Sequence, residues 1–358
     1  MFATSFFNYS YKHILKPVLF LLDPELVHDG FTYIGEKIEN MENFVSGLFC
    51  YENPNLTKKL LGVTFDNPVG LSAGFDYDGH MAKLMKHIGF GFNTVGSVTA
   101  MPYEGNPKPR LARLPLSQSL LVNKGFKSGG AKEVLKRLDN KDLKGHTIGI
   151  SIGSSNLPQI DSLKKAIDDY VYTFKLFASR KYVKYFELNI SCPNIRLKGA
   201  FSNISNFSKL CLAIKKLKLK QPIFVKMVNE ISLADSDALV SIALKYGIKG
   251  FIFANLVKDR SNPAFNKQEI ETLSHLPGNF SGKPTFANSL KLIRHTRKKF
   301  GQDVVIVGTG GVFNAADAQA KFNAGADLIQ LITGMIFEGP QLIGQINQTL
   351  SRGQSNTL

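Results

Sequence analysis

From residue 67 onward, hydrophobic and polar positions follow two alternating rhythms. Short, nearly unbroken apolar runs rich in β-prone residues occupy positions 68–73, 92–98, 147–152, 185–190, 223–228, 251–256, 304–307 and 328–332. Between them, apolar residues recur at helical spacing, as at Leu163, Ile167, Tyr170, Val171, Phe174 and Phe177, and again at Leu239, Ile242 and Ala243. Strands that alternate with helices imply a parallel sheet, and runs apolar on every position imply strands buried on both faces. Eight such units predict an α/β chain folded as a (β/α)8 TIM barrel, with a doubly wound open sheet as the alternative. In a barrel, functional side chains collect at the C-terminal strand ends.

The first part of the chain has a different pattern. Phe2, Phe6, Phe7, Tyr9 and Tyr11 lead into Ile14, Leu15, Val18, Leu19, Leu21 and Leu22, and a second helical pattern follows through Leu26, Val27, Phe31, Ile34 and Ile38. The unbroken apolar run 18–22 is far shorter than the ~18 residues that cross a bilayer, and no small-residue cleavage site follows it. Two short amphipathic helices fit, with Asp23 as N-cap and Pro24 at the first helical position. Residues 1–45 are therefore expected to form a helical extension that packs on the barrel or lies in a membrane interface, and residues 46–358 the barrel itself.

Composition refines this picture in two ways. The chain of 358 residues carries a formal charge of +16, but its lysines are scattered through helical segments and accompany no zinc-finger spacing and no aromatic-basic motif. Attraction to anionic lipid or acidic small molecules is a better use of that charge than nucleic acid. Three widely separated cysteines, Cys50, Cys192 and Cys211, form no disulfide framework and no metal-ligand spacing, which favours a reducing compartment and predicts no metal site.

Chemistry concentrates where the apolar runs end. The first ends in Ala73-Gly74-Phe75-Asp76, the second in Gly96-Ser97, the fifth in Lys226 and the sixth in Asn255. The seventh and eighth lead into Gly308-Thr309-Gly310-Gly311 and Thr333-Gly334, with Ser281-Gly282-Lys283 upstream. Glycine turns after the last two strands are where barrels hold a phosphate on backbone donors. Lys226 closes an apolar strand, so its ammonium would enter the barrel mouth, and an anionic or electron-rich cofactor would offset its desolvation. The fourth run delivers Asn189-Ile190-Ser191-Cys192-Pro193-Asn194, where Pro193 removes a donor and stops the ladder. Cys192 is thus a junction thiol, either a small buried apolar group or a reactive one.

Taken together, Leu22-Asp23-Pro24-Glu25 with His28, Asn67-Pro68-Val69-Gly70-Leu71, Ala73-Gly74-Phe75-Asp76, Gly89-Phe90-Gly91-Phe92, Glu104-Gly105-Asn106-Pro107-Lys108-Pro109-Arg110, Asn189 to Asn194 and Val307 to Val312 resemble the dihydroorotate dehydrogenases. The N-terminal helices and residues 104–113 are similar to the membrane-associated, quinone-using class 2. The resemblance implies FMN over the barrel mouth, contacted by Ala73, Gly74, Ser97, Ser151, Asn189, Lys226 and Gly334, with its phosphate on Gly282, Gly310, Gly311 and Thr333. It implies a dihydroorotate-like substrate held by Asn123, Asn189, Asn194 and Asn255, with Cys192 as the base. His28 and Arg113 match positions near a quinone site, and the chain would be a cytoplasmic protein bound peripherally to the inner face of a membrane.

Several positions depart from that pattern. Cys192 follows class 1, since class 2 enzymes generally carry serine. Tyr77 stands where the family has a lysine, Gly96 where class 1 has another, and Leu256 replaces a threonine. Val122 takes the place of an asparagine unless Asn123 is shifted by one. Ser151 replaces a flavin-contacting asparagine and Ile332 a quinone-site tyrosine. A substrate carboxylate needs a cation, and Lys124 and Lys127 are the ones at hand. Two other functions share this pattern: oxidation of another reduced cyclic amide or enone, and a non-catalytic flavin-binding membrane-peripheral protein.

Overall fold

The computed structural model describes residues 7–191 and 200–355. The eight apolar runs become the strands β1 (Val69–Leu71), β2 (Phe92–Val98), β3 (Ile148–Ile152), β4 (Val183–Asn189), β5 (Ile223–Lys226), β6 (Gly250–Phe253), β7 (Val305–Thr309) and β8 (Leu328–Leu331). Each pairs in parallel with the next, and β8 returns to β1 through Ile329 opposite Val69, closing the barrel. Closure rules out the open sheet. The main apolar core lies between strands and surrounding helices, with residues such as Val95, Ile150, Phe186 and Phe251 fully buried. Helix starts are fixed by side-chain caps, as Ser162 accepts from Lys165 N and Ser232 from Asp235 N.

The sixth run is shorter than its apolar pattern suggests. It stops at Phe253, and beyond it Asn255 Oδ1 accepts from Leu256 N at 2.9 Å, which turns the chain out of the ladder. Asn255 is thereby delivered to the mouth as a loop residue.

The interior is layered. An antiparallel hairpin of Lys58–Leu60 and Val63–Phe65 sits at the N-terminal end, its turn made by Leu61 and Gly62, both at positive φ. Phe65 packs there with Phe92, Tyr185 and Phe224 in tilted and edge-on ring contacts. Gly70, Gly149 and Gly250 leave the space those rings fill, since a Cβ at each would collide with Phe92, Tyr185 or Phe224. Above this floor, Thr94, Glu187 and Gln330 form a polar layer, and Lys226 stands above them at the end of β5.

The extension is helical from 7 to 21, including α1 (Lys16–Leu21), and continues through α2 (Pro24–Ile38) and α3 (Glu42–Phe49). Asp23 caps α2 as its spacing predicts, its Oδ1 accepting from Glu25 N and Leu26 N at 2.9 Å each, with Pro24 in the first turn. The extension is tied to the barrel by Tyr11, whose hydroxyl donates to Ile336 O at 2.6 Å. Its outer face is apolar and exposed, with Leu21 at 87% and Leu26 at 65%. No described helix is long and apolar enough to cross a membrane.

Candidate active site

At the C-terminal strand ends a cleft opens, walled on one side by the antiparallel strands Leu111–Leu114 and Ser119–Val122. Ala73, Gly74, Ser97, Asn189, Lys226, Asn255, Gly282, Gly310, Gly311, Thr333 and Gly334 all line it. Eleven residues from seven strand ends and the 281–283 turn thus converge, although they lie up to 261 positions apart in the chain. Cys192 and Asn194 lie outside the described residues.

One edge of the cleft is a rail of hydrogen-bonded side chains. Asn255 Nδ2 donates to Ser191 Oγ at 2.9 Å, Ser191 Oγ donates to Asn189 Oδ1 at 3.3 Å, and Asn189 Nδ2 donates to Ser97 Oγ at 2.9 Å. Ser97 Oγ in turn pairs with Ser151 Oγ at 2.8 Å, so fully buried Ser151 stands behind Ser97 and reaches the cleft only through it. Asn123 also faces away. Its Oδ1 accepts from Asn106 Nδ2 at 2.9 Å, while its neighbours Val122 and Lys124 form the wall. Asp76, the one carboxylate at the described strand ends of the mouth, is turned inward as a cap for His80 N and Met81 N, and burial pushes it up to about 6.

Lys226 is 6% exposed and donates to Ser72 Oγ at 3.1 Å. Beneath it, burial pushes the Glu187 carboxyl up, against the charge of Lys226 and hydrogen bonds from Thr94 at 2.6 Å and Gln330 at 2.7 Å. Lys226 thus stands between the buried Glu187 and the cleft, its ammonium on the side where a bound group would sit.

The residues present fit a flavin phosphate. Gly310 and Gly311 both have positive φ, and a Cβ at either would strike Thr285 or Phe286. Gly282, also at positive φ, lies against Thr333 and the carbonyl of Gln118, and Thr333 Oγ1 pairs with Ser281 Oγ at 2.8 Å. These turns bare their backbone to the cleft where a phosphate needs donors.

A second cavity adjoins the first and shares His28, Phe75, Leu111, Leu120 and Ile336 with it. It lies between α2, α3 and the barrel, has a volume of about 300 Å³, and is lined mostly by Phe, Leu, Ile, Val and Met side chains. His28 Nε2 is held 2.7 Å from Phe75 O at the junction. Arg113 is the one fixed charge on its described wall, donating to Leu22 O at 2.6 Å and Phe20 O at 3.3 Å with its guanidinium over the Phe20 ring.

Sequence reasoning missed Ser72 as the partner of Lys226, Glu187 beneath it, and Glu25 as the pivot of a charged cluster. Arg110 Nε and Lys124 Nζ donate to Glu25 at 3.2 and 2.9 Å, and Lys127 Nζ is 3.7 Å away. The signal available was a charge inside an otherwise apolar run at Glu187; a glutamate in a first helical turn carries no such signal.

The family model for dihydroorotate dehydrogenase matches residues 55–353. The dihydroorotate dehydrogenase (quinone) of Trichormus variabilis is 34% identical over 94% of this chain and 92% of its own length, and that of Christiangramia forsetii is 33% identical over 95% and 98%. Among solved structures, the ligand-free DHODH of Eimeria tenella superposes with a TM-score of 0.82 at 26% identity, covering 94% of this chain and 96% of its own. Its complex with ferulenol gives 0.81. Matched through extension and barrel alike, the chain belongs to the dihydroorotate dehydrogenase family, flavin-dependent oxidoreductases in general, and follows its class 2 pattern.

Proposed function

We propose that the protein oxidises dihydroorotate to orotate with FMN as cofactor and passes the electrons to a quinone at a membrane surface. The observation that carries this reading is the junction at His28, where a cleft lined by lysines and amides meets an apolar chamber large enough for a lipophilic partner. Gly282, Gly310, Gly311, Thr333 and Gly334 would hold the phosphate of FMN, and Ala73, Gly74 and Ser97 would flank its ring, with Ser151 orienting Ser97. Bound there, FMN supplies the acceptor for the hydride that leaves C6 of the substrate and the route by which two electrons reach the quinone.

Lys226, at the end of β5, would stabilise negative charge on a cofactor held in the cleft. Asn189, Asn194 and Asn255 hydrogen-bond the pyrimidine amides, the rail through Ser191 and Ser97 fixing Asn189 and Asn255 before substrate arrives. Asn123, held by Asn106, backs the wall that Val122 and Lys124 present to the substrate. Cys192 takes the proton from C5, and its reference pKa of ~8.5 allows a thiolate near working pH. His28 and Arg113 border the quinone path. The exposed apolar face of α1 and α2 seats the protein on a membrane from the cytoplasmic side, helped by its basic charge.

Anaerobic mixing of the yellow protein with dihydroorotate, followed at the flavin absorption band, tests this. The band bleaches without added quinone. A band that dihydroorotate leaves unchanged, while another cyclic amide or an enone bleaches it, would replace the substrate and keep the cofactor.

A further inference from the structure

Three lysines, Lys124, Lys127 and Lys226, line the described part of the cleft, and no carboxylate does. Lys226 is engaged at the barrel mouth with Ser72. Lys124 is 5% exposed and sits in the wall, its ammonium 2.9 Å from Glu25 Oε1 and 4.9 Å from the centroid of the Tyr77 ring. An ammonium has three donors, and Glu25 takes one of them. Glu25 must at the same time serve Arg110 and Lys127, so three cations share one buried carboxylate. The other acid nearby, Asp29, is more than half exposed, pairs with His28 at 3.5 Å and acts on Lys124 and Lys127 only through its charge, which leaves three cations against two carboxylates. Buried positive charge in excess of its counterions is costly, and an anion arriving from the cleft offsets that cost.

We propose that Lys124 receives the carboxylate of the substrate, and that Glu25, from the N-terminal extension, positions it. This rests on the proposed function for the identity of the carboxylate. Tyr77 occupies the place where the family resemblance expects a lysine, and the ammonium of Lys124 lies over its ring, so the charge arrives at that spot from a different segment. Glu25 is anchored for its task by the Asp23 cap and by Pro24, which begin α2 immediately before it. The extension thereby shapes the substrate side of the molecule as well as the apolar chamber.

The test measures binding of orotate and of uracil, which lacks the carboxylate, to the flavin-loaded protein by titration calorimetry. Lys124→Met keeps the stem and removes the charge, and Glu25 retains Arg110 and Lys127 as partners, so the variant is expected to fold. It should lose roughly 10- to 100-fold in orotate affinity with uracil binding unchanged, and Lys124→Arg should restore part of the loss. Glu25→Gln should weaken orotate by a smaller factor through misplacement of Lys124. Orotate bound equally well by wild type and Lys124→Met, at equal flavin content and thermal midpoint, overturns the proposal. So does a wild type that prefers uracil. If Lys124→Met cannot be loaded, Lys124→Arg and Glu25→Gln decide: unchanged orotate affinity in both sinks the idea. Bleaching by dihydroorotate with no effect of residue 124 defeats this inference alone; no bleaching, with carboxylate preference still dependent on residue 124, defeats the substrate assignment alone.

Discussion

Lys124, Lys127 and Lys226 line the cleft, whereas among the described residues Arg113 is the one fixed charge on the adjoining, mostly apolar chamber, and that guanidinium is spent on two carbonyls of the extension and the Phe20 ring. The two cavities share five wall residues yet present opposite solvents to a ligand. One wall favours an anion that hydrogen-bonds, the other a molecule that leaves water because it is apolar. Separating these chemistries within one mouth lets each half of a redox reaction be perturbed alone.

The sharpest way to break the comparison is Lys226→Ala. Flavin reduction by dihydroorotate in a stopped-flow cell should fall roughly 10²–10³-fold, while reoxidation of chemically reduced protein by a quinone changes far less. Equal losses would mean that the cavities are not separable. Cys192→Ala should slow reduction by about 10²-fold, and wild-type reduction should rise with pH and level off near the thiol pKa. Interference from the other described thiols is small, because burial pushes Cys50 up to about 11 and Cys211 up to about 12.

On the apolar side, Val27→Asp places a carboxylate in the chamber wall and should slow quinone reoxidation about 10-fold with dihydroorotate-driven bleaching intact. The smallest effect belongs to a lysine outside both cavities. Lys321 donates to Ser289 Oγ at 2.7 Å, and burial lowers its pKa to about 7. Between pH 7 and the ordinary lysine range the unfolded chain binds the extra proton, so wild-type stability rises with pH across that window. Lys321→Met should flatten this dependence and raise the thermal midpoint at pH 7 by ~2–4 °C.

The barrel was readable because strands buried on both faces write themselves as continuous apolar runs, and Lys226 stood out as a charge at the end of one of them. Asp23 and Pro24 were likewise local signals, with a local result in the α2 cap. Glu25 was not readable. In the first turn of a helix a glutamate reads as a complement to the helix dipole, and its partners Arg110 and Lys124 lie 85 and 99 positions away with no periodicity to connect them. Asn123 is a different case: the residue type suits the cleft, but its side chain is engaged by Asn106, while Val122 and Lys124 on either side form the wall.

The aromatic floor under the barrel makes its interior a well and not a pipe. With Phe65 and its neighbouring rings packed at the far end, Thr94, Glu187 and Gln330 lie between that floor and Lys226 at the mouth. Whatever is seated over Lys226 is therefore also a stopper. Deuterium uptake by the backbone amides of β2 and β4 should read out as a clock for that stopper, slowing when the mouth is filled and insensitive to anything bound in the apolar chamber alone.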